Sequence, residues 1–194
     1  MDIKPVILTG RIVRLEPLTL EHVTDLFAAS DPSIWKYMLY GDITTEEDMR
    51  RWVLDMLNRA NAGADLPFAV IDLATGKAIG GTRYLDIRIP HRGLEIGGTW
   101  YGLSFQRTAV NTECKYLLLK HAFESLGCIR VQFKSDSRNE RSIKAIERIG
   151  ARREGNLRNH MILQDGTYRH SAYFSIVSNE WPGVKKRLEE MLGM

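Results

Sequence analysis

Cysteine is scarce: the 194-residue chain has two, Cys114 and Cys128, and they form no C-x-x-C pair. The five histidines, His22, His91, His121, His160 and His170, show no ligand spacing, so neither a structural metal nor a disulfide framework is expected. No apolar run approaches the ~18 residues of a membrane span. Lys4 and Pro5 interrupt the opening MDIKPVILTGR, which does not suit a signal peptide, and the cytoplasm is the expected compartment. A strong charge of one sign is missing too. The 27 basic and 24 acidic side chains leave +3, too mild a surplus for a nucleic-acid footprint. No repeat, linker or low-complexity segment interrupts the chain.

What is present is a globular composition, 44% apolar and 26% charged, at a length that suits a single domain over residues 1–194. Gly10 to Leu18 alternates well enough for a first strand, ended by Pro17. Leu20, Val23, Leu26 and Phe27 fall at helical spacing until Asp31-Pro32 stops them. Thr44 and Glu47 read as a capping box for a second helix, with Trp52, Met56 and Leu57 on its apolar face. Residues 66–73 and 77–87 form a hairpin about Thr75-Gly76, and 94–101 is a further strand. Asn111 is placed to cap a helix that ends at Gly127. A strand follows at 128–134, then a helix from Asn139 to Gly150 and a long hairpin around Asp165-Gly166. Ser178 caps the last helix, with Trp181-Pro182 in its first turn. The order β-α-α-β-β-β-α-β-α-β-β-α describes a mixed α/β fold of about seven strands.

Chemistry is best sought where strand 94–101 runs through GLSFQRTAV into a helix, because a helix N-terminus offers unpaired N–H groups and partial positive charge to an anion. Spacing alone favours a plain loop before a capped helix. The run Gln106-Arg107-Thr108-Ala109-Val110-Asn111 resembles the Q/R-x-x-G-x-G/A signature of the GCN5-related N-acetyltransferase (GNAT) superfamily. Asn139-x-x-Ser142 opening a later helix fits the same family. GRIVRLEPL, LEIGGTW, the stretch from VNTECKYLLLKHAFESLG through RNERSIKAIERIGARREG, and SNEWP are similar to its branch of ribosomal-protein N-terminal acetyltransferases. The likeness runs in order along nearly the whole chain. It implies a mixed, mostly antiparallel sheet with two splayed parallel strands, 94–101 and 128–134, flanked by helices.

It also implies acetyl-CoA as co-substrate, with no metal. The pyrophosphate would meet the amides of Gln106 through Thr112, that is Gln106, Arg107, Thr108, Ala109, Val110, Asn111 and Thr112. The pantetheine would lie as an added strand along Thr99, Trp100 and Tyr101, because splayed strands leave backbone groups unpaired. Asn139 and Ser142 would contact the cofactor from the second helix. Ala109 and Asn111 stand where the signature has small residues, and Arg107 reads either as a cation beside the diphosphate or as a solvated loop arginine.

Acetyl transfer needs a neutral amine, a polarised carbonyl and a proton for the departing thiolate. Glu95, an acid in an apolar strand, is the candidate general base; otherwise it is a charge on the solvent face. The family's usual tyrosine acid falls at Ile146, so Ser142 takes its place, or is an ordinary first-turn serine. Asn139 reads as a cofactor contact or as an N-cap alone. His160 and His170 face across the 151–177 hairpin as satisfied strand histidines, and His91 sits in an exposed loop. Trp35, Tyr37 and Tyr40 wall the acceptor site or pack the core. The expected activity is direct acetyl transfer in a ternary complex to a primary amine, either a protein N-terminus or a small amine. The alternative is a non-catalytic acyl-CoA-binding or regulatory module. The 151–177 hairpin and last helix offer a surface for a homodimer, and no nucleic-acid or membrane partner is expected.

Overall fold

Strand alternation decides which face of the sheet each side chain joins. The computed structural model describes residues 1–194. Its strands are β1 (Leu8–Thr9), β2 (Val13–Pro17), β3 (Leu66–Asp72), β4 (Ala78–Arg88), β5 (Gly93–Tyr101), β6 (Arg130–Asp136), β7 (Arg152–Ile162) and β8 (Tyr168–Val177). The helices are α1 (Val23–Ala29), α2 (Pro32–Trp35), α3 (Glu46–Asn61), α4 (Val110–Lys120), α5 (Glu140–Arg148) and α6 (Trp181–Leu192). All eight strands share one sheet in the order β1-β2-β3-β4-β5-β6-β8-β7, antiparallel except where β5 meets β6. The reading of about seven strands missed β1, whose two residues pair with Arg14 and Leu15 and are too few to show a period. The strand expected at 128–134 runs two residues later.

In β3, Leu66, Phe68 and Val70 join a core with Leu94, Leu118, Phe133, Phe174 and Leu188. Ala69 and Ile71 turn to the other face and pack with Leu26, Trp35, Met49, Trp52 and Trp100. So α4, α5 and α6 cover one face, while α1, α2 and α3 cover part of the other.

Three caps differ from expectation. The capping box of α3 is Thr45 with Asp48: the Thr45 hydroxyl accepts the Asp48 N–H at 3.1 Å, and the Asp48 carboxylate accepts the Thr45 N–H at 2.8 Å. That carboxylate also holds Thr44, so the box sits one residue later than Thr44-x-x-Glu47. Helix α4 begins at Val110 with Ala109 as its N-cap, placing Asn111 inside the first turn, where its side-chain oxygen accepts the Tyr101 hydroxyl at 3.3 Å. The N-cap of α6 is Glu180, and Ser178 supplies only its carbonyl, to the Trp181 N–H at 3.4 Å. Asn139 does cap α5, its amide oxygen accepting the Ser142 N–H at 3.1 Å. A π turn at His121–Ser125 extends α4 toward Gly127. No helix is long and apolar enough to cross a membrane.

Candidate active site

The two parallel strands touch only briefly. Pairing runs from Gly93 opposite Arg130 to Glu95 opposite Gln132, and beyond that β5 and β6 part. A bulge bends β5 away: Trp100 pairs with Gly81 and Gly97 with Arg83, so three steps on β5 answer two on β4. Gly98 makes the bulge possible at φ +57°, where a side chain would be strained and its Cβ would press within 3.1 Å of Arg83. The stretch of β5 after Glu95 therefore has no strand neighbour on its β6 side. A cavity of about 610 Å³ fills the gap, bounded by β5, β6, the loop into α4, the first turns of α5 and the segment 37–40.

Gln106, Arg107, Thr108 and Asn111 line this cavity, as do Thr99, Trp100, Tyr101, Asn139 and Ser142. Ala109, Val110 and Thr112 do not contribute to its walls. Ala109 is exposed, Val110 packs into the core, and the buried Thr112 hydroxyl accepts Arg148 Nη1 at 3.1 Å. Arg107 is exposed and left-handed at φ +62°, taking up the positive φ that a glycine would adopt freely. Gln106 bridges the loop, donating to the Tyr101 carbonyl at 3.0 Å and accepting Arg141 Nη1 at 2.5 Å. The Asn139 cap uses its amide oxygen, so only the NH2 group is left for another partner. Ile146, at the position of the family's usual tyrosine, is buried at the cavity wall.

Glu95 is not on a solvent face. It is 2% exposed and lines the cavity, with Oε2 accepting Gln132 Nε2 at 3.0 Å and Oε1 lying 3.5 Å from Lys134 Nζ. Gln132 also donates to Asp86 at 2.8 Å and accepts Arg88 at 2.7 Å, which fixes its amide beneath the carboxylate. Gly97 lies beside this group, and a Cβ there would sit 3.1 Å from Glu95 Oε1.

Several residues of this site escaped the sequence reading. Lys134 and Asp136 were visible as the polar alternation Gln132, Lys134, Asp136 along β6, which places them on the Glu95 face. Lys115 was visible as a charge on the buried side of α4. It is 6% exposed, lines the cavity and donates to Thr99 Oγ1 at 2.7 Å, while Thr99 also bonds Thr82 at 2.8 Å. Burial pulls its pKa from the usual 10.5 to about 8. Arg169, near the start of β8, lines the same cavity. In all, eight lysines and arginines and only two carboxylates, Glu95 and Asp136, face it, a balance that suits a polyanionic ligand.

The remaining candidates have structural partners. His160 Nδ1 lies 3.0 Å from Ser171 Oγ, and burial lowers its pKa. His170 accepts the Asn159 N–H at 2.8 Å, and His91 sits exposed on a short turn. Trp35 packs into the core against Trp100 and Trp52 at ring distances of 5.2 and 5.9 Å, whereas Tyr37 and Tyr40 face the cavity.

Comparison with known proteins agrees with this geometry. Residues 13–152 match the acetyltransferase (GNAT) domain. The protein named "Putative ribosomal N-acetyltransferase YdaF" of Bacillus subtilis (strain 168) is 27% identical over 180 residues, which are 88% of this chain and 92% of that protein. The crystal structure of a GCN5-related N-acetyltransferase from Brucella melitensis is 32% identical with a TM-score of 0.92, over 98% of this chain and 86% of the other. Mycobacterium smegmatis RimJ in complex with CoA-disulfide shares the fold at a TM-score of 0.79 and 20% identity, over 97% and 95% of the two chains. A family domain that spans most of the sheet, and a relative alike over nearly the whole length, show that this chain belongs to the GNAT family of acetyltransferases.

Proposed function

We propose that the protein transfers the acetyl group of acetyl-CoA directly to a primary amine held in the same cavity. The observation that carries this reading is the unpaired stretch of β5 after Glu95, open beside the N-terminus of α4 and lined by a buried carboxylate. The residues present fit the co-substrate. An amide-rich pantetheine lies as a strand would along the open side of Thr99, Trp100 and Tyr101, where Gln106 already holds the Tyr101 carbonyl, and the start of α4 with Gln106, Arg107 and Thr108 receives the diphosphate. Asn139 and Ser142 reach the same chain from α5. The RimJ neighbour was solved with a CoA derivative, which supports the assignment.

Acetyl-CoA supplies an activated carbonyl carbon. Glu95 takes the proton released as the amine nitrogen bonds to that carbon, directly or through one water. Lys115, in the opening, places positive charge where negative charge develops as the C–S bond breaks. Ser142, whose first-turn position lines the cavity, gives the departing sulfur a hydroxyl proton to share. The acceptor enters between Tyr37, Tyr40 and β5. Its class is a protein N-terminus or a small amine, and the Bacillus relative is named a putative ribosomal N-acetyltransferase.

A second reading, an acyl-CoA-binding module without turnover, draws on Ile146 and on the pairing of Glu95 with Lys134. Thermal unfolding with acetyl-CoA, followed by thiol release against a panel of amines and peptides, separates the two. Stabilisation of about 2.7 kcal/mol is expected at a hundredfold excess over Kd. Stabilisation without thiol release toward any amine favours the module, and no shift at millimolar CoA sinks both.

A further inference from the structure

Arg169 is a buried cation that the protein itself leaves unpaired. The residue is 6% exposed, its Nε is sealed from solvent without a hydrogen-bond partner, and it lines the cavity. The neighbouring acids already have cations of their own: Asp136 takes Arg138 at 2.8 Å, and Glu95 has Lys134 at 3.5 Å. Burial lowers the pKa of Arg169, yet a guanidinium stays protonated and cannot escape by neutralising as a lysine can. Asp136 and Glu95 act on its charge from beyond ion-pair distance, and a buried guanidinium with no direct partner is unfavourable in the empty protein, so packing alone does not explain it.

Its position points to the acceptor side. β8 pairs with β6 with Ser171 opposite Asp136, so Arg169, Ser171 and Tyr173 alternate onto the face that carries Asp136, Lys134 and Glu95. Phe174 and Ile176 turn the other way, into the core beneath α4 and α6. Arg169 thus shares its sheet face with Glu95 and Lys134, whereas α4, at whose start the cofactor diphosphate is placed, packs on the other face. The Glu95 carboxylate is near enough to act on its charge, and Tyr37 and Tyr40 line the space they share.

We propose that Arg169 binds a carboxylate carried by the acceptor itself, so that the acceptor is a primary amine bearing a carboxylate group. The inference rests on the transfer reaction proposed above and narrows its substrate class. The planar guanidinium grips a carboxylate through two parallel N–H···O bonds, while Glu95 faces the amine at the other end of the molecule. The carboxylate comes from a free amino acid or from an acidic residue beside a peptide N-terminus.

Two measurements test it on the full chain. Acetylation rates are compared for amino acids against their amides, and for peptides with Asp or Glu against Asn or Gln at the second position. The wild type should favour the carboxylate partner in one of these arms, roughly a hundredfold in kcat/KM, and that arm identifies the source. Arg169→Met should erase the preference, with CoA affinity unchanged by calorimetry, and Arg169→Lys should keep part of it. Equal rates for acid and amide in both arms, or a preference that survives in Arg169→Met, overturn the proposal while leaving acetyl transfer intact. If no amine is acetylated at all, the transfer reading fails, and the binding arm still decides. In that arm, N-acetyl derivatives of the standard amino acids and their amides are titrated into the CoA-bound protein. Tighter binding of the acids that is lost in Arg169→Met upholds the carboxylate site, and equal binding overturns it.

Discussion

Replacing Lys115 by methionine should make the ligand-free protein more stable at neutral pH. The side chain is buried at the cavity wall, hydrogen-bonded to Thr99 and without a carboxylate partner, and its pKa falls from the usual 10.5 to about 8. That difference corresponds to about 3 kcal/mol of unfavourable burial at pH 7, where the ammonium is charged in both states. Methionine matches the length and carries no charge, and Thr99 keeps its bond to Thr82. With a urea slope of about 2 kcal/mol/M, the midpoint should rise by roughly 1–1.5 M. The sign follows from proton counting. Between pH 8 and 10.5 the unfolded chain holds this proton while the folded chain has released it, so the wild type regains stability as pH rises through that window. Above 10.5 both states are neutral and the full amount is restored. Urea melts of both proteins at pH 7 and pH 10 give the answer, because the variant cancels every other titrating group. A Lys115→Met protein that is less stable at pH 7, or whose advantage is as large at pH 10, refutes the reasoning.

Glu95→Gln should lower acetylation at neutral pH by roughly 10²–10⁴-fold with CoA affinity kept, and higher pH should partly rescue it by supplying neutral amine. Full rate at neutral pH would leave Glu95 a structural residue and make positioning of an already neutral amine the better account. Arg107→Ala should weaken CoA binding and spare kcat, since a phosphate contact acts equally on ground and transition states. An unchanged affinity returns Arg107 to the surface. Burial pushes the Cys114 thiol up to about 12 and Cys128 up to about 11, so an aromatic disulfide reagent at pH 8 should label neither until urea unfolds the chain. Labelling of the folded protein within minutes contradicts this.

Local signals carried most of the fold. The turns at Thr75-Gly76 and Asp165-Gly166 and the Asn139 cap are written in neighbouring residues, and the structure places them as read. Asn111 misled because a good capping residue has another use, accepting the Tyr101 hydroxyl from inside the helix. The loop from Gln106 and the carboxylate of Glu95 were legible through motif and context. Lys134 and Asp136 needed only the period of β6 to be followed to its end. Arg169 left no local trace. Its strand alternates like any other, and the 37–40 segment that lines the same cavity lies far away in sequence.

The brief contact of β5 with β6 divides the sheet into two antiparallel sets of strands. β1 to β5 belong to residues 8–101, and β6, β8 and β7 to residues 130–177. In the native state the seam has three paired positions, fewer than any other junction except that of the two-residue β1, and its amides should exchange with deuterium sooner than those of β3, β4 and β8. A ligand that lies in the gap as an added strand joins the two halves. Its binding would then register as slowed exchange on both sides of the opening, along Thr99 to Tyr101 and along Phe133 to Asp136, well beyond the atoms that react.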